Sequence, residues 1–270
     1  MKWTERQKLR IGGEEKDVPW WVNDKLKLAN FCKENDLPTP NIDVVWEHPD
    51  QIDLSSFGEN FVLKPSVLHS ARGVMVLKRL PDGKFYDGLT QRELTQETII
   101  KEQTKHFEDC KYKSNYRIFI EEKVAGDDEV GGAVPLDYKI YCFYGVPRMV
   151  FQFNRNHKPK RAAWFDGQFR PIRMRENIRS DWKFIHHGVH ILPREWEKML
   201  EIASRASKLV KTPFISVDMF SSKRGPLIGE LTPAPGGPFY GDMYKFSEEF
   251  DTDLGREWAA ALERMKGDVK

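Results

Sequence analysis

Two carboxylates, Asp218 and Glu230, fall where the chain can fold back on itself and set them side by side. Residues 214–220 (FISVDMF) alternate, with Ile215, Val217 and Met219 on one face and Phe214, Ser216, Asp218 and Phe220 on the other. Residues 227–232 (LIGELT) also alternate, with Leu227 and Leu231 against Ile228, Glu230 and Thr232. Between them SSKRG has turn composition, and Gly225 can take a backbone conformation that other residues avoid. Paired about that turn, Asp218 lies opposite Glu230 or one step diagonal from it, with Cβ atoms roughly 5–8 Å apart. Carboxylates that close repel each other unless a cation lies between them. Hard oxygen ligands suit Mg²⁺, which completes its shell with water and phosphate oxygens. A surface hairpin with both acids in water fits less well, because apolar residues flank each acid and the second strand runs into the Pro/Gly-rich residues 233–237.

Other residues suit the same chemistry. Lys64 closes a short apolar run and precedes the loop PSVLHSARG, whose small hydroxyl residues, Gly73 and flanking cations could fold over phosphates. The loop is not a GxxxxGK[ST] motif, and GxGxxG is absent as well. Glu121, Glu122, Lys123 and Val124 end another apolar strand; backbone groups there, with one Glu, could read an adenine edge, and Glu129 could reach ribose hydroxyls. Lys139 alternates with Tyr138 and Ile140, so it leaves one face of a strand to meet solvent or an anion. The cluster His186, His187 and His190 lacks zinc-site spacing and reads as a loop. No GxSxG and no Cys–His signature supports a covalent hydrolase.

Positioning these groups requires strands and helices in mixed order. A helix capped by Asn23 runs to about Asn35, strands cover 61–64, 73–80 and 116–124, and a helix-prone stretch spans about 90–107. Residues 137–144 and 146–154 form an antiparallel pair turning at Gly145. A long basic loop follows over 155–179, carrying Arg170, Arg173, Arg175 and Arg179, a candidate lid and grip for an acidic substrate. Pro193 opens the clearest helix, with Trp196, Leu200, Ala203, Ala206 and Val210 on one face. Without regular βαβ alternation the class is α+β. The 270 residues suffice for one or two domains with a sizeable core. With 43 Lys+Arg against 41 Asp+Glu, no global charge calls for nucleic acid or an anionic membrane. Three scattered cysteines, a charged N-terminus and the lack of any apolar run long enough to span a bilayer point to a reduced, cytoplasmic setting.

Taken in order, the strings FVLKPSVLHSARGV, RIFIEEKVAG, DYKIYCFYGVPRMV, EKMLEIASRASKL, PFISVDMF, IGELTPAPGG and FDTDLG resemble an ATP-grasp enzyme of the TupA-like branch associated with teichuronopeptide biosynthesis. The resemblance implies two α+β subdomains holding ATP between them: a short lead-in over 1–60, a small subdomain over 61–124 and a large one over 125–270. It implies that Lys64 and Lys139 contact the ATP phosphates, that His69, Ser70, Arg72 and Gly73 belong to the phosphate loop, and that Glu121, Glu122, Lys123 and Val124 form the adenine hinge. Asp218, Glu230 and Thr232 would ligate Mg²⁺, with Mn²⁺ an alternative ion, and Arg155 would stabilise the transferring phosphoryl group. The implied reaction joins a carboxylate, on a small molecule or a saccharide, to an amine through an acyl phosphate. A kinase acting on a hydroxyl and a nucleotide-binding protein without catalysis are the other readings. The chain departs from the branch at Ser216, where the family carries Arg, and at Thr232, where most ATP-grasp enzymes carry Asn. Its phosphate loop is longer and less glycine-rich than the family's. Arg148, Arg155 and Arg161 are the candidates to replace the arginine missing at Ser216.

Overall fold

A computed structural model describes residues 1–69, 71–126, 134–172, 176–180, 183, 185–237 and 244–268. The mixed strands and helices form two six-stranded sheets. The first has the order β1–β6–β2–β3–β4–β5, built from β1 (Ile42–Trp46), β2 (Asn60–Pro65), β3 (Met75–Arg79), β4 (Phe85–Asp87), β5 (Arg92–Leu94) and β6 (Ile118–Glu122), all antiparallel. Alternation divides its central strands. Phe61, Leu63, Met75, Leu77, Ile118 and Ile120 enter a core with Ile99 of helix α3 (Gln96–Glu108). Val62, Lys64, Val76 and Glu121 face the other way and line a cleft.

The second sheet has the order β11–β9–β8–β7–β12–β13, from β7 (Asp137–Phe143), β8 (Val146–Asn154), β9 (Lys160–Asp166), β11 (Ile185–His187), β12 (Ile215–Ser222) and β13 (Gly225–Thr232). Among the described residues only the β9–β11 pair of this sheet is parallel. One face packs on α4 (Trp196–Leu209), whose Met199, Ala203 and Ala206 meet Tyr138, Ile140, Val217 and Met219, with Leu28 and Cys32 of α2 (Lys25–Glu34) in the same core. The opposite face carries Tyr141, Phe143, Phe151 and Phe214, covered by Trp3 of α1 (Trp3–Ile11) and by Leu254 and Trp258 of α5 (Glu248–Asp268). A two-stranded ribbon, β10 (Ile178–Arg179) with β14 (Lys245–Phe246), flanks it.

Local chemistry moves several expected boundaries. Asp24, not Asn23, caps α2: its Oδ1 accepts from the N–H groups of Leu26 at 3.0 Å and Lys27 at 3.3 Å, while Asn23 ends a 3₁₀ turn. The helix-prone stretch from 90 first forms β5, and Thr95 then caps α3 by accepting from the N–H of Thr98 at 3.2 Å. The largest difference lies in 155–179. Where a long loop was expected, Ala162, Ala163, Trp164 and Phe165 form the buried strand β9 inside the sheet, a run apolar enough to be covered on both faces. Arg170 is held by Asp166, which accepts from its Nε at 2.7 Å; Arg173 and Arg175 lie outside the described residues. His186 and His187 sit on β11 rather than in a loop.

The N-terminal segment enters the cores on the two faces of the second sheet. Trp3 is fully buried, stacked on Tyr141 at 5.6 Å between ring centroids and edge-on to Phe214 at 5.3 Å. Buried Arg10 donates to the carbonyls of Phe214 at 2.9 Å and Pro233 at 2.8 Å and forms a two-point pair with Glu15. Trp3→Ala should therefore unfold at lower urea concentration, with a loss of about 3–5 kcal/mol as expected for removing a buried large aromatic. Equilibrium unfolding followed by fluorescence checks this, and a loss under about 1 kcal/mol would show that α1 is not integral to the second core.

Candidate functional site

The cleft lies between the free face of the first sheet and the end of the second where aromatic residues give way to charge. On the first sheet Lys64 stands on β2 next to Glu121 on β6, and the two form an ion pair at 2.6 Å with both side chains nearly buried. The Lys64 ammonium also sits 5.4 Å from the centre of the Phe119 ring. Val62, Val76, Leu89 and Val124 supply an apolar lining beside them, a wall suited to a flat ring. Glu122, Lys123 and Val124 carry the chain out of β6 along the cleft. That exit is fastened to the second sheet. Glu122 pairs with Arg224 in the β12–β13 turn, the Lys223 N–H donates to the Ala125 carbonyl at 3.2 Å, and Gly126 bridges to Ser222.

On the second sheet the register sets a row across three strands. Glu230 on β13 pairs with Asp218 on β12, which pairs with Lys139 on β7. The expected hairpin forms, with Gly225 at φ +97° in its turn. One detail differs from simple alternation: Asp218 faces Glu230 but Met219 faces Ile228, so Gly229 is an extra residue in β13. This bulge lets Ile228 and Leu231 share the core, whereas strict alternation would put them on opposite faces, while Glu230 lines the cleft. Phe220 lies over Gly229, where an added Cβ would come within 2.6 Å of its ring.

Lys139 forms ion pairs with Asp218 and, at 3.1 Å, with Asp137; Arg155 reaches the same Asp137 at 3.2 Å. Ser216, fully buried, donates to Oδ1 of Asp218 at 2.8 Å. Where the family's arginine would stand, this chain therefore has a residue that holds the carboxylate from beneath. Of the arginines considered as replacements, Arg155 lines the cleft, whereas Arg148 pairs with Glu257 on α5 at 3.1 Å and Arg161 does not reach the lining.

Lys64, His69, Glu121, Glu122, Lys123, Val124, Lys139, Arg155, Asp218 and Glu230 thus converge on one cleft. Thr232 pairs with Ser216 two residues past Glu230 and is not part of the lining. Arg72 is exposed in the loop, and Gly73 braces it: at φ +72° its carbonyl accepts from Gln103 Nε2 at 2.8 Å. Ser70 and Glu129 lie outside the described residues. Two further charged residues line the cleft, Lys25 at the start of α2 and Asp137 at the start of β7. Asp137 was legible, two residues before Lys139 on the same strand face; Lys25 carried no signal beyond its cap.

Charge is unevenly satisfied here. Burial pushes the Asp218 carboxyl up from its ordinary 3.8 to about 6; Lys139 opposes that shift, while Asp137 and Glu230 add to it. Burial also works against the Lys139 charge, but Asp137 and Asp218 outweigh it and hold its pKa above the ordinary value. A cation bound by Asp218 and Glu230 would relieve the carboxylate repulsion, and two hard oxygen donors facing each other across a strand pair fit Mg²⁺. Among the described residues no three His, Cys, Asp or Glu side chains form a ready metal cluster, so remaining ligands would come from water and phosphate. In the unfolded chain Asp218 loses its proton near 3.8, in the fold near about 6. Between those values the native state binds more protons, so stability falls as pH rises through the window and the cost is complete above it. Asp218→Asn should raise Tm by about 3 °C or more near pH 7.5 and lose that gain towards pH 4, as read by thermal melts. A gain independent of pH would assign the effect to packing.

A family model described as TupA-like ATP-grasp matches residues 2–259. No curated protein matches the chain. Among solved structures, the D-alanine–D-alanine ligase of Helicobacter pylori aligns over 88% of this chain and 60% of its own, at 17% identity and a TM-score of 0.53. The Bacillus anthracis D-alanine–D-alanine ligase complexed with ATP aligns over 92% of this chain and 66% of its own, at 13% identity and a TM-score of 0.49. The ATP-grasp ligase PsnB complexed with a minimal precursor aligns over 91% and 62%, at 11% identity and a TM-score of 0.48. The chain thus spans less than two thirds of the H. pylori ligase, and that likeness shows a shared fold. With the family model matching nearly the whole chain and the two-sheet cleft in place, the chain belongs to the TupA-like ATP-grasp family.

Proposed function

We propose that the chain is an ATP-dependent carboxylate–amine ligase that forms an amide through an acyl phosphate and releases ADP and phosphate. The observation that carries this reading is the row Glu230, Asp218 and Lys139 facing, across one cleft, the Lys64 side of the first sheet. Membership in the ATP-grasp family gives that juxtaposition its meaning. Residues 61–124 and 125–270 would act as two jaws, with residues 121–124 as the hinge between them. Backbone groups of Glu122 to Val124 would meet the adenine edge, while Val62, Val76 and Leu89 cover the ring. Ser70, Arg72 and Gly73 remain part of the reading as phosphate-loop residues, Glu129 as the ribose contact and Thr232 as the third metal position.

Asp218 and Glu230 would hold Mg²⁺, or Mn²⁺ in its place, and the ion would supply positive charge against the phosphate oxygens. Lys64 and Lys139 would add to that charge, each leaving part of its carboxylate pairing to do so. Arg155, next to Asp137, would steady the γ-phosphoryl group as it moves. A substrate carboxylate oxygen attacks the γ-phosphorus and ADP leaves. The amine nitrogen then attacks the acyl carbon, phosphate departs and the nitrogen gives up a proton. The cleft walls must keep water from that acyl carbon until the amine arrives. The acid would be a small molecule or saccharide-linked, the amine an amino acid or similar compound. Among the described residues no helix is long and apolar enough to cross a membrane.

Glu230→Gln is expected to lower acid- and amine-stimulated ADP release by on the order of 100-fold or more, with the thermal midpoint essentially unchanged. Turnover at the wild-type rate would remove Glu230 from the metal site. With hydroxylamine in place of the amine, a ligase yields a hydroxamate; ADP formation without hydroxamate would replace the ligase reading with a kinase acting on a hydroxyl.

A further inference from the structure

The connection between β8 and β9 carries charge that the site described above does not use. Residues 154–161 read NRNHKPKR, four cations with no acid among them. Asn154 pairs with Arg161 where the two strands end, and the same register continued places Arg155 opposite Lys160. Alternation puts both on the sheet face of Phe151, Phe153 and Trp164, which is also the face of Lys139 and Asp218. The Arg155 guanidinium stands 4.6 Å from the centre of the Phe153 ring, and the Lys160 ammonium stands 5.9 Å from it. Like charges directly opposite on neighbouring strands repel, and a shared ring face offsets only part of that cost.

The other cations of the segment are engaged elsewhere. Lys158 Nζ donates to Gln91 in the β4–β5 turn of the first sheet at 3.0 Å, and Arg161 falls on the opposite sheet face beside Gly188. Arg155 lines the cleft and shares Asp137 with Lys139. Lys160 has no such acid: among the described residues no carboxylate pairs with it, and partial burial and the Arg155 charge both lower its pKa. Lys139 on β7, Arg155 at the end of β8 and Lys160 on β9 thus step outward, strand by strand, from the Asp218–Glu230 pair. The outermost of the three lacks a counter-charge. An oxyanion over Phe153 would meet the planar fork of Arg155 and the point charge of Lys160 together, and would relieve their repulsion. The grip for an acidic substrate expected over residues 155–179 narrows to these two.

We propose that Lys160, with Arg155 beside it, forms a subsite for a second carboxylate on the acid substrate, so that the acid is a short dicarboxylic acid that reacts at one end and is held at the other. The proposal rests on the ligase reading above and gives its acid a chemical class. A lysine that served only solubility would not distinguish acids by their far ends.

Binding of succinate, glutarate and adipate, and of the monomethyl ester of each, is measured by calorimetry on protein loaded with Mg²⁺ and a non-hydrolysable ATP analogue. The wild type is compared with Lys160→Met and Lys160→Arg; Lys160 is exposed, so its replacement leaves the sheet packing in place. In the wild type at least one diacid should bind about tenfold or more tightly than its ester, as expected for charge-assisted bonds. Lys160→Met should cut that preference at least about fivefold while leaving the ester Kd within about twofold, and Lys160→Arg should keep most of it. No diacid preference in the wild type, or one that survives Lys160→Met unchanged, overturns the inference. So does a fall in ATP-analogue affinity in Lys160→Met, which would assign the ammonium to the nucleotide. Hydroxylamine trapping judges the ligase reading separately. Hydroxamate formed without a diacid preference removes this inference alone, whereas ADP released without hydroxamate removes the ligase reading and this inference with it.

Discussion

Three acids, Asp137, Asp218 and Glu230, are brought to one end of a sheet face, and keeping them there is the constraint on which the site depends. Alone they would repel across a poorly solvated surface; burial raises the Asp218 pKa, and Asp137 and Glu230 add to that shift. Lys139 sits between Asp137 and Asp218 and joins both, Arg155 shares Oδ2 of Asp137 with it, and Ser216 holds Asp218 from within the strand. The arrangement holds without being satisfied, because Glu230 lacks such a partner among the described ion pairs. Buried ionic groups of this kind rarely add stability, and hydrophobic replacements commonly do as well or better. Their presence on an otherwise aromatic sheet face is therefore better explained by ligand chemistry than by folding.

The first sheet answers that acidic end with an apolar wall and a lysine, and the connection between the sheets keeps the two in register. The segment leaving β6 does not simply cross the gap. Its Glu122 is tied to Arg224, its Ala125 carbonyl accepts from Lys223, and Gly126 meets Ser222, all at the turn of the very hairpin that carries Asp218 and Glu230. Displacing that segment would therefore strain the acidic hairpin, and the cleft is coupled to its own acidic wall. Asn41 adds a third element by donating to Glu122 at 2.9 Å.

How far the sequence revealed this depends on the length scale of the signal. The acidic hairpin was legible because period-two alternation, a turn glycine and two acids all fall within about twenty residues. The β7–β8 pair and α4 were legible for the same local reason, as periodic segments with clear punctuation. The bulge at Gly229 was not, since inserting one residue leaves the letters alternating while the register shifts. Strand β9 was misread as loop because charged flanks, from Arg155 to Arg161 and again from Arg170, hid its short apolar centre. Its partners, β8 and β11, lie on either side of it in the sheet, and pairing of that kind is a tertiary fact. The candidate site followed the same rule. Residues on one strand or one hairpin could be grouped, but the distance between the Lys64 wall and the Asp218 wall could not be read.

The N-terminal residues carry this point furthest. By composition residues 1–60 look like a lead-in, yet they reach each part of the molecule. Trp3 closes the aromatic core under α5, Arg10 binds the carbonyls that bracket the acidic hairpin, and β1 pairs with β6. Pro38 and Thr39 cover the open edge of β13 by bonding to Ile228. That edge would otherwise expose backbone donors and acceptors next to Glu230. Because α2 begins at Lys25 and the chain leaving it after Glu34 makes those edge contacts, one short helix and its exit link the strand that carries an acid to the loop that faces it across the cleft. A segment with so many separate attachments cannot shift as a unit without breaking contacts in all three cores, so its place in the cleft wall is fixed by folding and available to whatever the cleft binds.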